Sequence, residues 1–253
     1  MEEHFEYPEF VARFYDLIYN KIRTGTDFEY FMNKILEVKG PVLEVGTGTG
    51  RFFIEALNKG ADIYGIDVST SMINKLKEKL DKKHYGRISV QDAKKLQIDK
   101  KFDLIIAPFR VFSHMIEIKD QLKFLDNIYD HLKKKGTFIF DLFVPDLKMI
   151  LEGINNLTDF EGEYEKGKKM KRIISMNSVL IKQVSYVSMT FVWEENDKEI
   201  TKEWTFPFRY FFRYEIEHLV NQSKLKLEKI YGDFENNDLS PDSKEFIIVC
   251  KRL

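Results

Sequence analysis

The chain is poor in cysteine, in surplus charge and in long apolar runs, and each shortage removes a class of function. Its 253 residues hold one cysteine, Cys250. A single thiol excludes an intrachain disulfide framework and any multi-cysteine metal site. Cys250 follows the apolar run Phe246-Ile247-Ile248-Val249, the setting of a small core residue. The 40 basic and 41 acidic side chains leave a formal net charge of −1, which gives no global field for nucleic acid or an anionic membrane. No segment reaches the ~18 uninterrupted apolar residues of a membrane span. Met1-Glu2-Glu3-His4 carries no basic region ahead of an apolar stretch, so no signal peptide is expected and a cytoplasmic protein is the natural reading. His4, His84, His131 and His218 are scattered, with no pair at zinc-ligand spacing, so no metal site is expected. Internal repeats and low-complexity segments are missing as well.

What is present is a globular pattern, 43% hydrophobic and 32% charged. Residues 8–38 read as helices, with Val11, Phe14, Tyr15 and Ile18, then Phe28, Phe31, Ile35 and Val38, at helical spacing. Gly40-Pro41 punctuates the chain. Short apolar strands then alternate with amphipathic helices. Strands are predicted at 42–45, 63–66, 88–90, 102–107 and 137–144. Helices are predicted at 52–58, from a Ser69 or Thr70 cap to about residue 83, and over about 119–134, where Gly136 ends the last. This rhythm implies parallel strands joined by right-handed helical crossovers, an α/β Rossmann-like doubly wound sheet.

After the fifth strand the rhythm breaks. Segments 171–181, 184–194 and 200–208 are rich in β-branched and aromatic residues, and Glu195-Asn196-Asp197-Lys198 reads as a turn between two of them. The prediction is an inserted antiparallel β subdomain. A helix at 214–222 and strands at 225–231 and 246–251 return to the core and bring its sheet to seven strands, with helices on both faces. The expected division is an N-terminal helical segment 1–40, a core 41–160, the insertion 161–208 and a C-terminal part 209–253 that completes the sheet.

The most informative segment is Val42-Leu43-Glu44-Val45-Gly46-Thr47-Gly48-Thr49-Gly50, a strand entering a glycine-rich turn ahead of a helix. Glycines there let a ligand approach the backbone and tolerate φ above zero, and the free N–H groups of the next helix favour an anionic group. The dinucleotide fingerprint requires a glycine or alanine where this chain has Arg51, and the P-loop requires a Lys-Ser/Thr that is missing. Asp67 ends the second strand roughly 20 residues after the turn, where a carboxylate can accept hydrogen bonds from both ribose hydroxyls.

This series resembles class I S-adenosylmethionine-dependent methyltransferases. Glu44 to Gly50 resembles their first motif and Asp67-Val68-Ser69-Thr70-Ser71-Met72 their second. Val90-Gln91-Asp92-Ala93 resembles the acidic motif after the third strand, and Phe102 to Phe109 the fourth motif. The resemblance implies S-adenosylmethionine as cofactor, with Glu44, Gly46, Thr47 and Gly48 at the turn. It places Asp67 and Val68 at the ribose, and Met72, Asp92 and Ala93 at the adenine. Ala107, Pro108 and Phe109 then fall beside the methionine part. A further likeness, to small-molecule methyltransferases with a β insertion after the fifth strand, makes Arg209 and Tyr210 acceptor-side candidates. It also gives Tyr15, on the opening helix, a cofactor-closing role.

Methyl transfer needs positioning and desolvation more than a universal catalytic residue. His114 is the candidate base, with local hydrogen bonding as its alternative. Arg110 is a candidate partner for an acceptor carboxylate, or else a surface charge. The acceptor is expected to be a small or medium-sized molecule, methylated on O, N or C. A regulatory cofactor-binding protein and an RNA or protein methyltransferase are the competing readings. The aromatic insertion, with Tyr186, Phe191, Trp193, Trp204, Phe206 and Phe208, is expected to roof the site, or to bury a homodimer interface, and to be separable from cofactor binding.

Overall fold

The structure is a computed structural model that describes residues 5–23 and 25–253; His4 lies outside the described residues. Two amphipathic helices, α1 (Glu9–Ile22) and α2 (Thr26–Glu37), precede the sheet. The core then runs β1 (Val42–Val45), α3 (Arg51–Asn58), β2 (Ile63–Asp67), α4 (Thr70–Lys79), β3 (Ile88–Val90), β4 (Phe102–Ala107), α5 (Ile118–His131) and β5 (Leu132–Phe143). After the insertion come α7 (Arg213–Gln222), β10 (Lys226–Tyr231) and β11 (Glu245–Lys251). The sheet has seven strands in the order β10-β11-β5-β4-β1-β2-β3. β1 pairs in parallel with β2 and β4, while β11 runs antiparallel between β5 and β10. Strand order reverses between β1 and β4, and that switch point is where open α/β sheets bind ligands.

β1 and β4 are buried along nearly their whole lengths, as befits strands covered on both faces. One face packs Leu43, Val45, Ile105, Phe138 and Phe140 against α5 and α7. The other packs Val42, Leu104 and Ile106 against α2, α3 and α4 through Phe31, Phe53 and Leu76. Cys250 is fully buried in the first of these layers, and burial pushes its thiol well above the usual range.

The insertion begins earlier than its aromatic content indicates. A short helix α6 (Leu147–Glu152) leads into β6 (Ile154–Glu165), β7 (Lys168–Val179), β8 (Val184–Glu195) and β9 (Lys198–Arg209). These form a separate four-stranded antiparallel sheet in sequential order. Residues 154–160, expected in the core, therefore belong to the insertion. β6 is its polar edge strand, with Phe160 alone fully buried, and so lacks the apolar alternation that marks a strand in a sequence. The inner face of this sheet packs on α1: Phe160, Met170, Phe191 and Trp193 meet Val11, Phe14 and Ile18.

Candidate active site

A cavity of about 730 Å³ opens at the C-terminal ends of β1, β2 and β4, within the size range of small-molecule and cofactor sites. Its floor is the glycine turn. Gly46, Gly48 and Gly50 all have positive φ, 73°, 54° and 90°. A Cβ on Gly46 would lie 2.4 Å from Val111, and one on Gly50 would lie 2.3 Å from Leu76. Gly48 differs: its Cβ would meet nothing nearer than 4.0 Å, because that space is the cavity.

Asp67, at the end of β2, accepts from the Gly48 N–H and the Ser69 N–H, each at 2.8 Å. One carboxylate thus joins the glycine turn to the N-terminus of α4. Burial nonetheless pushes it up to about 6. Glu44, 1% exposed on β1, accepts from the Thr47 hydroxyl at 3.0 Å, and burial pushes it up to about 8. Asp92 accepts from the Lys94 N–H at 2.8 Å and lies 3.6 Å from the Lys94 ammonium, so it caps a turn while its side still lines the cavity. Val68, Met72, Ala93, Pro108 and Phe109 line the same space. Ala107 does not; it is fully buried in the sheet core behind Pro108.

The N-terminal segment covers this floor. The Glu6 carboxylate accepts from the Ser69 hydroxyl at 2.8 Å and from the Thr70 and Ser71 N–H groups at 3.0 Å. It satisfies the free amides at the start of α4 and draws Phe5 and Tyr7 across the cavity. On α1, Asp16 accepts from the Thr49 hydroxyl at 2.5 Å and pairs with Lys79 at 2.7 Å. That docking sets Tyr15 at the cavity wall, where burial holds its hydroxyl protonated and it accepts from Arg23 at 3.1 Å. Arg23 escaped the sequence reading. Its guanidinium lies 3.7 Å from the Phe109 ring centroid, its Nε is buried without a partner, and it forms no ion pair among the described residues. Only the fold, which sets the end of α1 beside the loop after β4, brings this charge to the cavity wall.

Three acceptor-side candidates point elsewhere. Arg110 has φ 62° and pairs with Glu245 on β11 at 2.6 Å, away from the cavity. Arg209 donates to Glu215 at 2.8 Å and to the Ile116 and Lys182 carbonyls at 3.3 and 3.2 Å; it braces the insertion against the loop after β4. Tyr210 is 3% exposed, and its N–H donates to the Gln183 carbonyl at 3.1 Å. None of the three lines the cavity. The unexpected neighbour of the site is Asp141, fully buried on β5, which accepts from the Phe109 N–H at 2.6 Å. Its bond steadies Phe109 and Arg110, two successive non-glycine residues at positive φ.

His114 lies in the 3₁₀ turn 111–114, whose Val111 abuts Gly46. It lines the cavity, its Nδ1 is buried without a partner, and burial lowers its pKa to about 4. Facing it across the cavity's far end are Trp204, Thr205, Phe206 and Pro207 of β9. Of the six insertion aromatics, Trp204 and Phe206 reach the cavity, while Phe191 and Trp193 pack on α1. Phe208 lies 5.1 Å from His114 between ring centroids, and Tyr186 is exposed.

Residues 42–136, which contain every cofactor-side motif, match the family model described as a methyltransferase domain. The chain carries a methyltransferase domain and is an S-adenosylmethionine-dependent methyltransferase. This methyltransferase is 27% identical to the glycine/sarcosine N-methyltransferase of Aphanothece halophytica over 98% of its own length and 90% of the relative's. A malonyl-[acyl-carrier protein] O-methyltransferase of Ilyobacter polytropus is 30% identical over 53% of this chain and 52% of that one. Among solved structures, an S-adenosylmethionine-dependent methyltransferase from Clostridium acetobutylicum superposes with a TM-score of 0.77 at 20% identity, covering 96% of this chain and 97% of the other. The two share a Rossmann-like fold, and the methyltransferase domain marks this chain as an enzyme that uses S-adenosylmethionine. Among the described residues no cluster fit to hold a metal is present, and no helix is long and apolar enough to cross a membrane.

Proposed function

We propose that the cavity holds S-adenosylmethionine along the β1–β2 side and a small acceptor under β9. The observation that carries this is the pairing of two unlike ends in one cavity. A buried carboxylate beside an open glycine, Asp67 and Gly48, forms one end, and a roof of rings from the insertion forms the other. Bound there, the cofactor supplies a methyl group activated on a sulfonium. Asp67 and Val68 face the ribose, and Asp92, Ala93 and Met72 face the adenine. Gly46, Thr47 and Glu44 meet the methionine part, and Arg23 takes its carboxylate with Tyr15 as brace. Pro108 and Phe109 close the side toward the reacting methyl.

His114 acts as a neutral hydrogen-bonding group rather than a base, because a side chain held near 4 is too weakly basic to take a proton from a hydroxyl at neutral pH. The rest of the rate comes from holding the two reactants together and excluding water. Glu6, Glu117 and Asp120 around the cavity disfavour a nucleic-acid backbone and support a small acceptor. The test is transfer of labelled methyl into a nucleic-acid-free metabolite extract, with mass identification of the product. Label entering a small molecule is the expected result; label entering only added RNA or protein would overturn the reading.

A further inference from the structure

We propose that the acceptor's reacting group is an amine, which leaves the site as a substituted ammonium against the ring wall formed by Phe5, Tyr7, Trp204 and Phe206. This rests on the cofactor assignment above and names the acceptor class for the same cavity. Trp204 and Phe206 stack with centroids 4.4 Å apart, Phe5 lies 5.5 Å from Trp204, and Tyr7 lies 4.8 Å from Trp204. Phe5 also lies 4.3 Å from His114, placing the wall beside the turn that touches Gly46. It therefore stands at the methyl end of the site.

Elsewhere in the protein, ring faces are taken by the chain's own cations, as Phe109 is by Arg23 and Tyr19 by Arg172. None of the cation–ring contacts among the described residues falls on these four rings. The sides of these rings that line the cavity carry no protein cation, and an aromatic quadrupole attracts a ligand one. The cavity's other basic side chains are already engaged: Arg51 with Asp27 at 2.5 Å, and Lys94 with Asp92 and Asp120 at 3.6 and 3.4 Å. An anionic acceptor would thus face rings and the rim carboxylates of Glu117 and Asp120. An alcohol would need a base that His114 does not provide. A neutral amine needs neither. Its nitrogen lone pair forms the new C–N bond as the C–S bond breaks and that pair returns to sulfur. The positive charge passes from sulfur to nitrogen, and the surplus proton leaves to solvent.

The test uses the full-length protein saturated with S-adenosylhomocysteine, with calorimetric titration of choline and of its neutral isostere 3,3-dimethylbutan-1-ol. Saturable choline binding, tighter than that of the isostere, is expected. Trp204→Leu and Phe206→Leu, which keep the wall apolar, should each weaken choline by roughly 3- to 30-fold while homocysteine-cofactor binding is retained as proof of folding. Equal or tighter binding of the isostere, or no choline binding to the loaded protein, would overturn the proposal. Loss of choline binding in Glu117→Gln or Asp120→Asn, with Trp204→Leu unaffected, would overturn it in favour of carboxylate recognition. Failure of S-adenosylhomocysteine itself to bind would instead remove the cofactor assignment, and this inference with it.

Discussion

Replacing Glu44 by glutamine isolates the cost of keeping a carboxyl at the cofactor site. The side chain is 1% exposed and pushed from 4.5 to about 8, with burial as the first cause. A carboxyl whose folded pKa lies above its unfolded value destabilises the fold progressively as pH rises from the lower value to the higher, and fully above it. At ~1.4 kcal/mol for each pH unit, the wild-type chain gives up about 3 kcal/mol at pH 7 and about 4–5 kcal/mol above pH 8. Glutamine has the same shape, offers Thr47 the same acceptor, and never ionises. Glu44→Gln should therefore raise the thermal midpoint of the ligand-free protein by about 8–18 °C at pH 8. The gain should shrink toward pH 5 and level off above pH 8. S-adenosylmethionine should bind the variant more weakly, because the proposed site sets this carboxyl against the cationic methionine part of the cofactor. Differential scanning calorimetry across pH 5–9, paired with titration of the cofactor, measures both. A stability gap that does not vary with pH, or a variant less stable at every pH, would refute the burial argument.

Asp67→Ala should weaken cofactor binding by about one to two orders of magnitude, the worth of a charge-assisted hydrogen bond, as read by calorimetry. Because Asp67 is pushed up to about 6, wild-type affinity should hold above pH 7 and fall as pH drops through 6, and Asp67→Asn should lack that step. Gly48→Val should abolish binding, by filling the open space above φ 54° and by forcing a β-branched residue into left-handed backbone; unimpaired cofactor titration would contradict this. NAD should fail to displace S-adenosylhomocysteine at micromolar levels, since Arg51 is anchored on Asp27 where a dinucleotide fold needs glycine. Replacing residues 154–209 by a Gly/Ser linker should abolish transfer and also weaken cofactor binding, because α1 loses its apolar partner; unchanged cofactor affinity would show that α1 holds its place alone.

That last expectation departs from the one the sequence suggests. Composition marks the insertion's aromatics as a roof, yet Phe191 and Trp193 pack on α1, a contact between distant segments that periodicity cannot show. The core was legible because its signals are local. β1 and β4 match their predicted spans, since buried parallel strands read as continuous apolar runs; β3 matches as well, as a short strand at the sheet's edge. β5 begins at Leu132, ahead of the prediction, because its Lys133-Lys134-Lys135 reads as the end of a helix. The polar edge strand β6 was hidden for the same reason that it resists pairing with other chains. At the site, the residues with motif spacing line the cavity, Ala107 excepted. Arg110 and Arg209 are ion-paired with Glu245 and Glu215, and Tyr210 is buried off the cavity, arrangements that only the tertiary fold supplies. Arg23 and Asp141 carry no motif, and only the fold brings them to the loop after β4, through the Phe109 ring and the Phe109 N–H.

The packing of α1 on the insertion also sets a clock on synthesis. The apolar face of Val11, Phe14 and Ile18 emerges ahead of the core strands, but Phe191 and Trp193, which cover it, emerge long after them. At about 5–20 residues per second, that face waits on the order of ten seconds or more without its partner. β11 is later still, and until it inserts between β5 and β10, the edge of β5 stands open. The nascent chain thus carries both an uncovered helix face and an unpaired strand edge, and its yield in the cell should depend on what shields them during that interval.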